Sequence, residues 1–411
     1  MRIILLLATL VFTIFTAAAA QDRAPVERAF QSWLAAELWP LAQQNGISRN
    51  VFDTSLAGVT LKWTLPDLRP PGFPPPVSEP QSQAEFRSPA RYFREARIGG
   101  QAVIGRRLYL EWRETLDRIE ARFGVPGHIL IAIWGGESDF GAASLPHSAI
   151  RVLATKAFMS TRRDLFQGEL LAALEIIERG DIGANAMMGS WAGALGQPQF
   201  MPTSFLEFAV DMDGDGRRDI WHSVPDTLAS IANYLMQKGW QRGRDWGFEA
   251  VIPGNISCAQ EGPDQARPIS NWVVDGIIRI SGRPFPAHEL AGDGMMLVPA
   301  GRQGPHFIVT PNFYVLKAYN NSDLYALYMG NLGDRIAYGG RAFQAPWATQ
   351  PRMLRSDIAA MQRGLEALGH DVGGADGLPG FKTRRSIGTW QLQQGLAQTC
   401  FPDPAIIRAL R

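Results

Sequence analysis

The chain has 411 residues, of which 46% are hydrophobic and 19% are charged, and its formal net charge is +1. This length and apolar content are sufficient for a large core and for more than one domain. A net charge so close to zero gives no basis for nucleic-acid binding or for an electrostatic contact with a membrane surface.

Residues 1–20 have the pattern of a secretory signal peptide. One basic residue precedes a long apolar run, and four alanines, Ala17 to Ala20, end it. A membrane anchor is the alternative, but the apolar run is shorter than the roughly 20 residues that span a bilayer. The small residues at its end favour cleavage after Ala20. Because no cysteine follows this site, the sequence predicts a periplasmic protein and not a lipoprotein.

Apolar residues at helical spacing predict helices over residues 23–60 and from about Ala90 to Phe123. The segment 66–79 between them is rich in proline and is predicted to be extended. The next run, from Ile129 to Trp134, is apolar on nearly every side. This pattern is typical of a helix buried in the middle of a domain.

The buried helix is predicted to end at Gly135-Gly136-Glu137-Ser138, which places a carboxylate at the end of an apolar element. Burial disfavours the charged form of a carboxyl group and raises its pKa. A carboxylic acid that keeps its proton near neutral pH can protonate the leaving oxygen in glycoside cleavage. Glu137 is therefore the candidate catalytic acid, and the two glycines are expected to leave room for a bulky substrate. The alternative is an ordinary exposed glutamate at a helix end.

Acidic residues occupy alternate positions from Asp211, and a glycine stands at the sixth position, as at the start of an EF-hand calcium loop. The twelfth position is His222, so the bidentate glutamate of that loop is missing and Asp226 is the nearest replacement. The predicted ligands of a structural Ca²⁺ or Na⁺ ion are Asp211, Asp213, Asp215, the backbone carbonyl of Arg217, and Asp226. The alternative is an acidic turn without a metal.

From Trp246 to Pro311 the pattern changes to short apolar runs separated by glycine and proline. Two of these runs, 277–280 and 295–298, predict strands. We interpret this region as a small β-rich insertion that forms one wall of a cleft.

The last 60 residues follow a segment, 344–351, that has the composition of a linker. A helix with one apolar face is predicted over 355–369, and a turn after it leads into another helix. The two cysteines, Cys258 and Cys400, can pair in an oxidising compartment, which would attach this region to the rest of the chain. Two unpaired thiols are the alternative, because the sequence does not show their geometry.

Several motifs, in order between about residues 85 and 335, resemble the lytic murein transglycosylases of the membrane-bound B type, which are lysozyme-like. These motifs are Gly124-Val-Pro126, Glu137-Ser138, Arg162-Arg163, Gly193-Ala-Leu-Gly-Gln-Pro-Gln-Phe-Met-Pro202, Asn233-Tyr234, Pro311-Asn-Phe-Tyr314 and Tyr319-Asn320. Residues 350–411, with Asp376-Gly377, Gly380-Phe-Lys-Thr383 and a Gln-x-x-x-Gly-Leu pattern ending at Leu396, resemble the type-1 peptidoglycan-binding module.

The resemblance implies a mainly α fold. It consists of a lysozyme-like catalytic domain over 21–345, with the acidic loop and a small β-containing insertion at about 205–310, and a small three-helix peptidoglycan-binding domain over 350–411. The implied reaction cleaves the β-1,4 bond between N-acetylmuramic acid and N-acetylglucosamine. In the family, the C6 hydroxyl of the muramic acid attacks its own anomeric carbon and forms a 1,6-anhydro ring. Glu137 would act first as acid and then as base, and no cofactor is required.

The resemblance also implies a set of substrate-binding residues. Ser190 and Gln199 would hydrogen-bond the sugar at the cleavage point, and Arg162 and Arg163 would lie along the glycan groove. The groove would be lined by Tyr92, Phe200, Tyr234, Tyr319, Asn320 and Tyr325. The expected partners are peptidoglycan glycan strands and other cell-wall enzymes, with no nucleic acid, and the chain is expected to be a monomer.

Two other functions remain open from the sequence. A hydrolytic muramidase needs a second carboxylate. Asp139 is the nearest one in the sequence, but residues two apart on a helix do not share a face, so a local role at the helix end is predicted for it. A wall-binding scaffold without activity is the second alternative. The C-terminal module is expected to act as a tether that concentrates the enzyme on the wall, unless a Cys258–Cys400 bridge makes it part of the catalytic body.

Overall fold

The computed structural model describes residues 23–73, 89–340, 342–349, 351 and 353–411. The predicted signal peptide and the part of the proline-rich segment beyond residue 73 lie outside these residues. The chain divides into two units, the first made of Met1–Val77 and Gly141–Ser230 and the second of Ser78–Phe140 and Ile231–Arg411. Among the described residues, no helix combines the length and the apolar character that a bilayer crossing requires.

Helices dominate both units, as predicted. In chain order they are α1 (Arg23–Trp33), α2 (Trp39–Gln44), α3 (Arg49–Leu56), α4 (Pro89–Tyr92), α5 (Glu95–Glu111), α6 (Arg113–Phe123), α7 (Gly127–Ser138), α8 (Ala149–Met159), α9 (Arg163–Glu178), α10 (Pro202–Phe208), α11 (Val224–Gln237), α12 (Ile269–Val274), α13 (Pro311–Asn320), α14 (Asp323–Tyr338), α15 (Arg355–Ala367), α16 (Phe381–Gln393) and α17 (Pro404–Ala409). The strands are β1 (His147–Ser148), β2 (Met188–Gly189), β3 (Gly247–Val251), β4 (Arg267–Pro268), β5 (Ile278–Arg279), β6 (Asp293–Leu297), β7 (Pro299–Arg302) and β8 (His306–Val309).

The first unit is built on helices α8 and α9, which pack against each other. Ser148 caps α8 by accepting a hydrogen bond from the Arg151 N–H, and nearly every residue of that helix is buried. The short strands β1 and β2 pair antiparallel, with His147 opposite Gly189. This pairing fixes the start of the loop that follows β2, and that loop carries several of the predicted site residues.

The second unit surrounds helix α7, as the apolar run predicted. All seven residues from Ile129 to Gly135 are buried, and α7 packs against α5, α6 and α14. The approach of α14 is close, because a Cβ added at Gly333 would lie 2.9 Å from the Ile129 Cδ1 atom. Because α7 has neighbours on nearly every side, the burial of its apolar side chains is the main contribution to its stability.

The same unit contains the β-rich region that the sequence predicted. Five strands form a sheet in the order β4-β6-β8-β3-β5, with antiparallel pairs throughout. An apolar cluster lies against this sheet and includes Phe248, Trp272, Ile308 and both cysteines.

The C-terminal segment folds as three helices, α15, α16 and α17, around a small apolar core. Its members are Ile358, Met361, Leu365, Val372, Ile387, Trp390, Ile406, Ile407 and Leu410. The Cys258–Cys400 pair forms a disulfide, so the paired alternative is confirmed. Arg384 of α16 is buried and makes an ion pair with Glu261, which has no exposed side-chain surface. The expectation of a freely tethered module is therefore wrong, because a covalent bond and a buried ion pair hold the module against the sheet-bearing body.

Candidate active site

Glu137 lies in the last turn of α7 and is half-buried. The Tyr325 hydroxyl donates a hydrogen bond of 2.6 Å to its Oε1 atom. Burial raises the pKa of Glu137 to about 7, and the hydrogen bond from Tyr325 opposes this rise. Neither influence comes from a second carboxylate. The group is therefore a carboxylic acid that can both give and take a proton near neutral pH.

Three tyrosines of the second unit form a chain of ring contacts that ends at Glu137. The rings of Tyr325 and Tyr319 stack with centroids 6.1 Å apart, and Tyr319 meets Tyr234 edge-on at 4.9 Å. The Tyr234 hydroxyl donates to the Ala318 carbonyl at 2.8 Å. Burial, together with the charge of Glu137, raises the pKa of Tyr325 well above its ordinary value, so this hydroxyl remains a proton donor toward the carboxylate.

The sequence reasoning missed a second hydrogen-bond chain that holds the end of α7. The Tyr328 hydroxyl donates to the Gln101 side-chain oxygen at 2.6 Å, and the Gln101 amide donates to the Gly135 carbonyl at 3.0 Å. Gln101 is buried, so both bonds are shielded from water. A signal for Tyr328 was present, since it stands three residues after Tyr325 on one helix, where both point to the same face. Gln101 had no such signal.

The two glycines before Glu137 do not provide space for a substrate. A Cβ added at Gly135 would lie 2.5 Å from the Phe140 ring, and one added at Gly136 would lie 2.1 Å from the Met329 methyl carbon. The expectation of an open approach is therefore wrong at these positions. The glycines are needed because α14 and the chain after α7 pack directly against the helix backbone.

Asp139 ends helix α7 and does not extend it. Its backbone has a positive φ of 50°, and that of Phe140 is 59°. The Asp139 N–H donates to the Gly135 carbonyl at 3.0 Å, and the residue is exposed. Non-glycine residues in this left-handed region are uncommon and cluster at functional sites. The local role at the helix end that we predicted for Asp139 fits this geometry.

In the first unit, Ser190 and Gln199 lie in one tight loop after β2. The Ser190 Oγ atom accepts hydrogen bonds from the N–H groups of Ala192 and Ala194, at 3.3 and 3.1 Å. Gln199 has a positive φ of 55°, and its side-chain amide donates to the Gly196 carbonyl at 2.8 Å. Both side chains are half-buried, and the positive φ of Gln199 marks local strain in the backbone of this loop.

The remaining predicted residues differ in exposure. Phe200 is only 3% exposed, and its ring packs edge-on against Phe208. Arg162 and Arg163 are exposed at the start of α9, and their guanidinium groups lie over Phe166 and Phe158. In the second unit, Asn320 is exposed and Tyr92 packs edge-on against Tyr328.

The acidic loop brings three of its predicted ligands together. Oxygen atoms of Asp211, Asp213 and Asp226 lie within 4.8 Å of one another. Asp226 is fully buried, and burial raises its pKa although three backbone N–H groups bond to it. The Asp215 carboxylate lies outside this group and pairs with the Arg217 side chain at 3.0 Å. Three converging carboxylates with one of them buried fit a hard cation, whose charge would offset their mutual repulsion.

Comparisons with known proteins identify the family of the chain. The family model of the transglycosylase SLT domain matches residues 29–334, and that of a peptidoglycan binding domain matches residues 355–410. The membrane-bound lytic murein transglycosylase B of Escherichia coli K12 is 31% identical over 228 residues, which is 55% of this chain. The match spans 61% of that relative's length.

Two solved structures extend the likeness to the fold. SltB3 of Pseudomonas aeruginosa, in complex with NAG-anhNAM-pentapeptide, superposes with a TM-score of 0.81 at 35% identity, over 93% of this chain and 99% of that one. Escherichia coli Slt35 in complex with calcium gives a TM-score of 0.51 at 26% identity, over 63% of this chain and 80% of that one. The resemblance drawn from the motifs is thus confirmed: the chain belongs to the SLT-domain lytic transglycosylases of the B type and carries a C-terminal peptidoglycan-binding module.

Proposed function

We propose that this chain cleaves the β-1,4 bond between N-acetylmuramic acid and N-acetylglucosamine in peptidoglycan and forms 1,6-anhydromuramic acid. The observation that supports this most strongly is the half-buried Glu137 at the end of the buried helix α7, where Tyr325 donates a hydrogen bond to it and burial raises its pKa to about 7. In its protonated state Glu137 gives a proton to the glycosidic oxygen. As a carboxylate it then takes the proton of the C6 hydroxyl, which attacks the anomeric carbon. Each step conserves atoms, and no water or cofactor is consumed.

The other side chains have proposed roles in holding the sugar. Tyr325 holds the Glu137 carboxyl in one orientation through its hydrogen bond. Ser190 and Gln199 are proposed to bond the sugar at the cleavage point, and the tyrosine rings suit sugar faces because they offer apolar area with a polar edge. Further proposed contacts to the glycan are Tyr92, Phe200, Tyr234, Tyr319, Asn320, Arg162 and Arg163.

The mass of the released fragments tests this function. Purified peptidoglycan is digested with the enzyme, and the muropeptides are examined by mass spectrometry. Products lighter by one water than those of a hydrolytic muramidase are expected. Hydrated products would assign the muramidase function instead, and no soluble product at all would leave the scaffold function.

The proposal also includes the domain limits of 21–345 and 350–411, the signal peptide over 1–20 and a periplasmic location.

The pH dependence of the reaction follows from the state of Glu137. The free enzyme must carry a proton on this group, and its pKa is raised to about 7, so the active fraction persists to about pH 7 and is lost above it. We expect kcat/KM on soluble glycan chains to be flat below this pH and to fall about tenfold per unit above it. Tyr325→Phe removes the bond that lowers the pKa and should move the falling limb to higher pH. A rate that climbs between pH 7 and 9 would contradict the assignment.

For the acidic loop we propose a structural Ca²⁺ or Na⁺ ion held by Asp211, Asp213 and Asp226. Its role is to neutralise a buried carboxylate, and it takes no part in bond cleavage. A ligand that binds only the native state, at 100 times its Kd, adds about 2.7 kcal/mol to the free energy of unfolding. We therefore expect calcium to raise the melting temperature relative to chelator, and Asp226→Asn to abolish this difference. Equal melting temperatures for the native chain in calcium and in chelator would identify an acidic turn without a metal.

A further inference from the structure

The junction between the C-terminal module and the rest of the second unit contains a buried cluster of charges. Arg384 is 4% exposed and donates two hydrogen bonds to Glu261, at 2.9 Å from Nε and 2.6 Å from Nη2. The same Nη2 atom donates to the Asp323 carboxylate at 2.9 Å. The Arg384 guanidinium of the module therefore bonds two carboxylates outside the module, those of Glu261 and Asp323. Removing one partner of a buried ion pair is strongly destabilising, because the other charge stays uncompensated.

Asp323 is the first residue of α14 and has a second cationic partner. The Lys317 Nζ atom lies 2.8 Å from its other carboxylate oxygen. Burial by itself would raise the pKa of Asp323, but Arg384 and Lys317 outweigh it and hold this pKa below its usual range. The Asp323 carboxylate therefore stays ionised, and Arg384 and Lys317 each hold one of its two oxygens.

The residues that Asp323 fixes are the immediate neighbours of the tyrosines at Glu137. Tyr325 follows Asp323 by two positions in the first turn of α14, where the Ser322 side chain caps its N–H at 3.2 Å. Tyr319 follows Lys317 by two positions near the end of α13. The Asp323 contacts thus join the last turn of α13 to the first turn of α14, from which the two stacked rings project.

We infer that Arg384 is a positioning residue for catalysis: through Asp323 it holds the first turn of α14, so that Tyr325 reaches Glu137. The module then contributes to the geometry of the acid as well as to wall binding. This inference rests on the proposed role of Glu137. A small displacement of a group that orients a catalytic acid lowers the rate at saturation more than it weakens substrate binding.

The inference is tested in part by the pH dependence of the rate, and two sets of titratable groups affect that dependence. Around Tyr325 they are Glu137, Tyr319 and Tyr92. Around Asp323 they are Arg384, Lys317, Glu261 and Tyr314. The Tyr325 hydroxyl bonds directly to Glu137, and this bond lowers the pKa of Glu137. A displaced Tyr325 hydroxyl therefore leaves Glu137 with a higher pKa, and the falling limb of the rate moves to higher pH.

The test uses the full-length enzyme with its disulfide, assayed on soluble glycan chains. Arg384→Met/Glu261→Gln removes the guanidinium without leaving Glu261 charged and unpaired. Asp323→Ala keeps the Arg384–Glu261 pair and so preserves the docking of the module. For both variants we expect kcat to fall about tenfold with KM nearly unchanged, and the falling limb to move up by about half a pH unit or more.

The matched control is Arg385→Met. Arg385 is the next residue of the same helix, but it pairs with Asp264, whose side chain is 56% exposed, and it makes no ion pair with Asp323. This control should keep the native kcat and the native pH at which the rate begins to fall. The inference is overturned if the Asp323→Ala enzyme, folded by circular dichroism, keeps the native kcat and pH limb. Hydrated products from the native enzyme would instead overturn the proposed function, so the two failures can be told apart.

Discussion

Glu137→Gln is expected to lower the rate of glycan cleavage by about a thousandfold or more while binding to the wall survives. The amide keeps the shape of the carboxyl group and can still accept the hydrogen bond from Tyr325. It cannot give or take a proton in either step of the reaction, and general acid–base groups contribute about 10² to 10⁴ each. Since Glu137 acts twice, the loss should lie at the upper end of this range.

Two measurements on the same preparation check this result. The release of soluble muropeptides gives the rate, and co-sedimentation with insoluble sacculi gives the binding. Glu114→Gln, which changes an exposed glutamate of α6, serves as the control and should cleave at the native rate. Lysis by Glu137→Gln at anything near the native rate would remove Glu137 from the mechanism.

The disulfide is expected to have the largest effect on stability. Cys258 and Cys400 are 142 positions apart and are both buried in the apolar cluster of the sheet. Cross-linking a chain over so long a loop restricts the unfolded state, and the loss of such a bond costs about 3–5 kcal/mol. We therefore expect Cys258→Ala/Cys400→Ala to unfold at a clearly lower urea concentration than the native chain.

A reducing agent provides the internal control for this prediction. It should bring the native chain to the midpoint of the double variant and leave the variant itself unchanged. If the oxidised native chain and the double variant unfold at the same urea concentration, the bond does not stabilise the protein and the docking rests on the ion pairs alone.

The parts of the fold that could be predicted depend on neighbours in the sequence. The run Ile129 to Trp134 is apolar on every side, and such a pattern has only one favourable place, inside a domain. The raised pKa of Glu137 follows from that placement by desolvation. The strands near Ile278 and Met295 were likewise indicated by short apolar runs between glycine and proline.

The parts that could not be predicted depend on contacts between distant residues. Tyr325 is 188 positions from Glu137, and Arg384 is 123 positions from Glu261. No local pattern tells a buried arginine from an exposed one. The glycines before Glu137 show the same limit. A glycine can leave open space for a ligand or can allow a neighbouring element to pack closely, and only the positions of Met329 and Phe140 distinguish the two.

The buried ion pair between Glu261 and Arg384 also limits the order in which the chain can fold during its synthesis. Glu261 is synthesised long before its counter-charge, and until α16 has been made its carboxylate has no cation to join it in the apolar interior. The second unit can therefore reach its final packing only after nearly the whole chain has been translated, although domains usually begin folding in the order of their synthesis. A chain interrupted before α16 would lack both the partner of Glu261 and the bond from Arg384 to Asp323. Since the loss of the Asp323 contact is expected to lower kcat about tenfold, such a chain should cleave glycan more slowly than the complete enzyme.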